Sequence, residues 1–140
     1  RPVDGAAAAA GEGERGEPLR VLIVDDNVDA AMTLRLVLEL DGHVAQVTHD
    51  GPAALEVAPS LLPQVVLLDI GLPGMTGYEV GRRLRGHPAT AAALLVAVTG
   101  YGQPEDAARA REAGFDRHLV KPVAPETILA MLAKHSRAGP

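Results

Sequence analysis

The sequence predicts an open, parallel α/β sheet covered by helices on both faces. Three observations carry that prediction. Short runs of aliphatic, often branched residues recur along the 140-residue chain, and each is followed by a stretch with helical spacing of its apolar positions. These runs lack the polar alternation of one-sided strands, as expected where both faces are covered. With 47% hydrophobic residues but one Phe, two Tyr and no Trp, the chain must build its core from Leu, Val, Ile and Ala.

Residues 1–18 are mainly Gly, Ala, Glu, Arg and Pro and read as a flexible linker, because burial there cannot offset the entropy of ordering. The globular part is expected over 19–135, with 136–140 as a tail. Because the first residue is Arg1 rather than Met, an excised or processed piece is expected.

Val21–Val24 is the first apolar run and predicts a strand. Asp25, Asp26 and Asn27 follow, and then Ala31, Leu34, Val37, Leu38 and Leu40 mark a helix that Asp41-Gly42 stops. Val44–Val47 predicts the second strand and Asp50-Gly51-Pro52 the opening of the second helix. Val65–Leu68 is a fully apolar third strand ending in Asp69. After a loop rich in Gly and Pro, Thr76 with Glu79 predicts a capping box and a third helix through Val80 and Leu84. Leu94–Val98 predicts a fourth strand ending at Thr99. Pro104, Glu105 and Asp106 suit the first turn of a fourth helix that Gly114 stops. His118–Val120 and the stretch from Pro125 through Leu132 complete the pattern as a fifth strand and helix. Alternation of this kind implies right-handed crossovers and a doubly covered parallel sheet.

Composition excludes several function classes. The formal net charge is -5 and no basic stripe offsets it, which disfavours nucleic acid, and there are almost no aromatic residues to stack on bases. Without cysteine there are no disulfides or thiolate metal sites. The longest apolar run, Ala91–Val98, is far short of the roughly 20 residues of a membrane span, and Ala6–Ala10 lacks the pattern of a signal peptide. A cytoplasmic protein with no membrane contact is expected.

Asp25, Asp26, Asp69, Thr99 and Lys121 all fall where the predicted strands end. In sheets of this type ligands gather at those carboxyl ends. Each residue alone has an ordinary reading: a helix start, a turn, a solvated lysine. Together they make a carboxylate cluster, which either raises a pKa or binds a cation, and hard oxygen ligands favour Mg²⁺. A cation on carboxylates suits phosphoryl transfer, with Lys121 as a second positive point, Thr99 as a donor and one carboxylate as nucleophile.

Four stretches carry a family resemblance: Val21–Asn27, Val66–Gly74, Thr99–Tyr101 and Leu119–Val123. Over about Leu19 to Ala133 the chain resembles receiver domains of two-component response regulators, most of all those at the C-terminus of hybrid sensor histidine kinases. The resemblance implies a flavodoxin-like sheet of strand order 2-1-3-4-5, and a domain that catalyses its own phosphorylation and dephosphorylation rather than a conventional enzyme. It implies Asp69 as phosphoacceptor, fed by a phosphohistidine of a histidine kinase or phosphotransfer protein, with a kinase domain upstream in the same chain as the preferred context. It implies Mg²⁺ on Asp26, Asp69 and the Gly71 backbone carbonyl with help from Asp25, and phosphoryl contacts from Thr99 and Lys121. Thr99 and His118, the latter where Tyr or Phe is more familiar, would form the switch that repacks the face of the fourth helix, fifth strand and fifth helix. A fourth helix of Ala and charge would be easily moved, and the Lys121-Pro122 bond would be cis. Tyr78, Tyr101 and Phe115 are expected to be packing residues, although the place of Tyr101 two past Thr99 would also let it tune water access.

An aspartate-nucleophile phosphatase would need a carboxylate where Gly71 stands, and a nucleotide-binding turn would be Gly-rich where the two acids stand. The alternative kept is a receiver-like interaction module that works without phosphorylation.

Overall fold

Five strands and five helices alternate along the described chain. They are β1 (Arg20–Val24), α1 (Val28–Leu40), β2 (Val44–Thr48), α2 (Gly51–Leu61), β3 (Val65–Asp69), α3 (Gly77–Gly86), β4 (Leu94–Thr99), α4 (Pro104–Glu112), β5 (Arg117–Val120) and α5 (Pro125–Ala138). The structure, a computed structural model, describes residues 17–100 and 104–138. The expected linker lies almost wholly outside that range, as does Tyr101.

The strands are all parallel and lie in the order β2-β1-β3-β4-β5, the flavodoxin-like arrangement. The chain first steps from β1 out to β2, then returns past β1 to β3. The order therefore reverses between β1 and β3, which creates a crevice at their carboxyl ends.

Strand residues point alternately to the two faces. Leu22, Val24, Val66, Leu68, Leu95 and Ala97 join Ala54 and Ala58 of α2, Tyr78, Val80 and Leu84 of α3, and Ala110 of α4 in one core layer. Val21, Ile23, Val65, Leu67 and Val96 pack in the other layer against Ala31 and Leu38 of α1 and Ile128 and Leu132 of α5. The central strand β3 is buried along its whole length, which is why it reads as an unbroken apolar run.

Helix starts follow the expected side chains. Asn27, Asp50 and Thr76 accept hydrogen bonds from the N–H groups of Ala30, Ala53 and Glu79 at 3.0, 2.8 and 3.2 Å. The capping box is only half made, however. The Glu79 carboxylate turns to Arg83 at 2.8 Å and Arg82 at 3.6 Å, and Arg83 lowers its pKa. Gly42 and Gly114 end α1 and α4 at φ of 96° and 98°, conformations that glycine adopts without strain. Leu62 ends α2 at φ 54° without that freedom, its N–H bound to the Ala58 carbonyl at 2.9 Å. The last helix runs to Ala138, into the stretch expected to be a tail, and Ser136 Oγ donates to the Glu17 carbonyl at 2.9 Å.

Arg85 at the end of α3 ties three segments together. Its guanidinium donates to the carbonyls of Ala91 and Ala93 before β4, to that of Gly114, and to Asp116 Oδ2 at 2.7 Å. Asp116 Oδ2 also accepts from the Leu95 N–H at 2.9 Å. Replacement of this partly buried cation leaves several carbonyls unmet. Arg85→Met is expected to lose about 2–3 kcal/mol in denaturant unfolding. A loss under about 0.5 kcal/mol, the range of ordinary surface changes, would refute this role.

Candidate functional site

The crevice between β1 and β3 gathers three carboxylates. The Asp25 N–H continues the β1–β2 ladder to the Thr48 carbonyl at 3.1 Å, while its Oδ1 accepts from the Asn27 N–H at 2.9 Å. This local turn leaves Asp26 exposed at the crevice rim. Asp69 is the last residue of β3 and is buried, with 7% of its surface accessible. One oxygen from each of Asp25, Asp26 and Asp69 can be chosen so that all lie within 4.8 Å of one another.

Both oxygens of Asp69 are engaged. Oδ1 accepts from the Gly71 N–H at 2.9 Å and Oδ2 faces the Lys121 ammonium at 3.1 Å. The same ammonium lies 4.0 Å from Asp25 Oδ2. Lys121 arrives from the end of β5, where its N–H donates to the Thr99 carbonyl at 2.7 Å, and the Lys121-Pro122 bond is cis, as the resemblance implied.

One ammonium therefore faces three carboxyl groups. Burial raises the Asp25 pKa, and nearby Asp69 adds to the rise, although the Asn27 N–H and Lys121 pull it down. For Lys121, burial acts to lower the pKa, but the hydrogen bond and charge of Asp69, then Asp25 and Asp26, prevail and raise it. The lysine stays an ammonium at neutral pH, while the carboxyl cluster has room for further positive charge. Hard, clustered oxygens of this kind fit a Mg²⁺-type ion.

A family model described as the response regulator receiver domain matches residues 21–133, and its span coincides with the sheet, both helix layers and this crevice. The chain belongs to the response regulator receiver family. It is 32% identical over 120 residues to an uncharacterised 14.6 kDa protein of Leptolyngbya boryana, an alignment covering 86% of this chain and 92% of the other. It is 36% identical over 118 residues to the DNA-binding response regulator MtrA of Mycobacterium tuberculosis, covering 84% of this chain. The chain spans about half the length of that relative.

Among solved structures, a Burkholderia pseudomallei response regulator with a phosphorylated aspartic acid, calcium ion and citrate is similar at TM-score 0.75 and 29% identity, over 86% of this chain and 71% of the other. The signal receiver domain of a histidine kinase from Syntrophus aciditrophicus gives TM-score 0.75 and 28% identity, over 86% and 91%. Receiver domains of two-component systems catalyse their own phosphorylation and dephosphorylation and are not conventional enzymes.

In this receiver Thr99 closes β4 next to the crevice. Strand register sets Asp69 beside Val98, and Thr99 beside Val120, one residue before Lys121. Its side chain is buried. His118 stands apart from the carboxylates, opposite Ala97 on the edge strand β5, with a buried Nε2 that has no hydrogen-bond partner among the described residues. A cleft of about 630 Å³ descends from Asp25, Asp69 and Lys121 between α1 and the start of α5, walled by Ile23, Leu34, Leu67 and Val98. Among the described residues no helix is long and apolar enough to cross a membrane.

Nothing in the sequence singles out His49, yet its Nδ1 lies 2.9 Å from the Asp25 carbonyl oxygen. A histidine next to a helix cap gives no pattern that announces such a contact.

Proposed function

We propose that this receiver accepts a phosphoryl group on Asp69 from a phosphohistidine of a histidine kinase or phosphotransfer protein. The supporting observation is the setting of Asp69: a buried carboxylate held at both oxygens, beside two further carboxylates and one ammonium. In the transfer an Asp69 oxygen forms a bond to phosphorus, the P–N bond to the donor imidazole breaks, and the departing ring nitrogen keeps the electron pair and takes a proton. Asp25, Asp26, Asp69 and the Gly71 carbonyl would hold Mg²⁺, which when bound neutralises charge on the transferring oxygens. Lys121 and Thr99 would then contact the phosphoryl group. Movement of Thr99, with His118 following, would repack the face of α4, β5 and α5. The buried anchors of α4 itself include Ala110, with Arg109 over the Tyr78 ring at 4.4 Å, so little apolar surface opposes such movement.

The receiver domain is taken as residues 19–135, in the cytoplasm where such donors act. A hybrid histidine kinase is the preferred context, by likeness to the Syntrophus aciditrophicus receiver. A longer DNA-binding response regulator such as MtrA, of which this chain spans about half, is the other.

The test is incubation with Mg²⁺ and a small acyl phosphate. A gain of one phosphoryl mass, lost with EDTA, supports the proposal. No gain from either the small donor or a phosphohistidine protein would favour the interaction module that works without phosphorylation.

A protein donor needs a docking surface at the crevice rim. Val28, Met32, Leu36 and Leu40 line up at intervals of four along α1 and are exposed by 45–78%, an apolar stripe starting beside Asn27. Leu36→Asp is expected to slow transfer from a protein donor by about tenfold and leave the small-donor reaction unchanged. Equal slowing of both reactions would place the defect in folding instead.

A further inference from the structure

We infer that His49 is a positioning residue for the cation site, acting on the peptide that joins Asp25 to Asp26. The inference deepens the proposed function and rests on it for the identity of the ion.

β2 is one of the two edge strands, and its ladder with β1 ends at the pair Val24 and Thr48. One rung further, the Asp25 N–H still finds the Thr48 carbonyl at 3.1 Å. The chain of β2 then turns into α2, with Asp50 used as the helix cap through its bond to the Ala53 N–H. At this rung the donor to the Asp25 carbonyl is the His49 side chain, with Nδ1 at 2.9 Å. A carbonyl oxygen carries no proton, so Nδ1 must carry it, and the ring is the donor.

The consequence lies in peptide geometry. The Asp25 carbonyl belongs to the planar unit whose nitrogen is that of Asp26. Fixing that plane sets the direction in which Asp26 leaves the strand. Asp25 is thereby held at its N–H by Thr48, at its carbonyl by His49 and at its carboxylate by the Asn27 N–H. Asp26 is exposed, so its place within 4.8 Å of the other two carboxylates depends on the backbone that carries it. Outer partners that orient ligand groups commonly govern metal affinity by 10–100-fold.

The experiment titrates Mg²⁺ calorimetrically into the full chain as wild type, His49→Asn, His49→Gln and His49→Ala. Asn offers an N–H near the position of Nδ1, whereas Gln offers one near Nε2. Asn is expected to keep wild-type affinity within about threefold, with Gln and Ala about tenfold weaker. A purely structural role would weaken Asn and Gln alike. That result overturns the inference, as does wild-type affinity in His49→Ala. A wild type that binds no Mg²⁺ overturns the proposed cation site, and this inference with it. Nitrogen NMR of the metal-free protein gives a second readout: a proton on Nδ1 is expected, and a neutral ring protonated only at Nε2 refutes the contact.

Discussion

Asp69→Asn is expected to abolish phosphoryl mass gain from a small acyl phosphate, lowering the rate by at least about a thousandfold, the scale seen when a nucleophile is removed. The substitution preserves shape but removes the charge and one acceptor. In the native site Oδ1 takes the Gly71 N–H and Oδ2 the Lys121 ammonium, so two donors converge on the side chain. An amide has one oxygen, and its NH₂ must face one of those donors, which costs of order 1–3 kcal/mol. Relief of repulsion with Asp25, whose pKa burial and Asp69 both raise, offsets part of that loss. The variant should therefore fold, with a stability within about 2 kcal/mol of wild type, while failing to react. EDTA added to wild type should give the same chemical silence, since Asp25, Asp26 and Asp69 without a cation present concentrated negative charge to an anionic donor. Retained mass gain in the variant would move the acceptor to another side chain.

Much of the architecture was readable because a strand covered on both faces must be apolar at every position, as β3 is. The helix caps were readable because Asn27, Asp50 and Thr76 act on residues three places ahead. Strand order came from the family resemblance, since periodicity says nothing about which strands are neighbours. The meeting of Asp69 with Lys121, 52 residues apart, was legible only through the rule that parallel strands bring their carboxyl ends together. Features that depend on a distant partner or a local competitor escaped. No local pattern marks Arg85, because only the fold brings its carbonyl partners beside it. Glu79 sat in a capping-box position, but Arg82 and Arg83 on its own helix outcompeted the cap. Leu62 takes a left-handed turn that glycine would normally mark, so no signal preceded it.

Gly77→Ala is expected to damage both stability and phosphorylation, although alanine is the better helix former by about 1 kcal/mol. A Cβ at this position would stand 2.6 Å from Ile70 Cα, 2.8 Å from the Asp69 carbonyl oxygen and 2.8 Å from Leu68 Cδ2. The leucine tip could rotate away, but the other two atoms are backbone of the segment that carries Asp69. Accommodating the methyl requires α3 or that segment to shift, which also strains the Gly77 N–H bond to the Ile70 carbonyl. Overpacking of this kind costs about 1–3 kcal/mol, and here it exceeds the gain in helix propensity. Gly86 in the last turn of the same helix is the control, because a Cβ there meets nothing within 4 Å. Gly86→Ala should be neutral or stabilising by up to about 1 kcal/mol and phosphorylated normally. The separation between stability and function then identifies the mechanism. Arg85→Met lowers stability away from the crevice and spares the chemistry, whereas Gly77→Ala should lower stability together with Mg²⁺ affinity and the rate of phosphoryl uptake. If Gly77→Ala matched wild type in unfolding and in rate, α3 would have moved without the Asp69 segment, and the close approach would not be what sets the carboxylate in place.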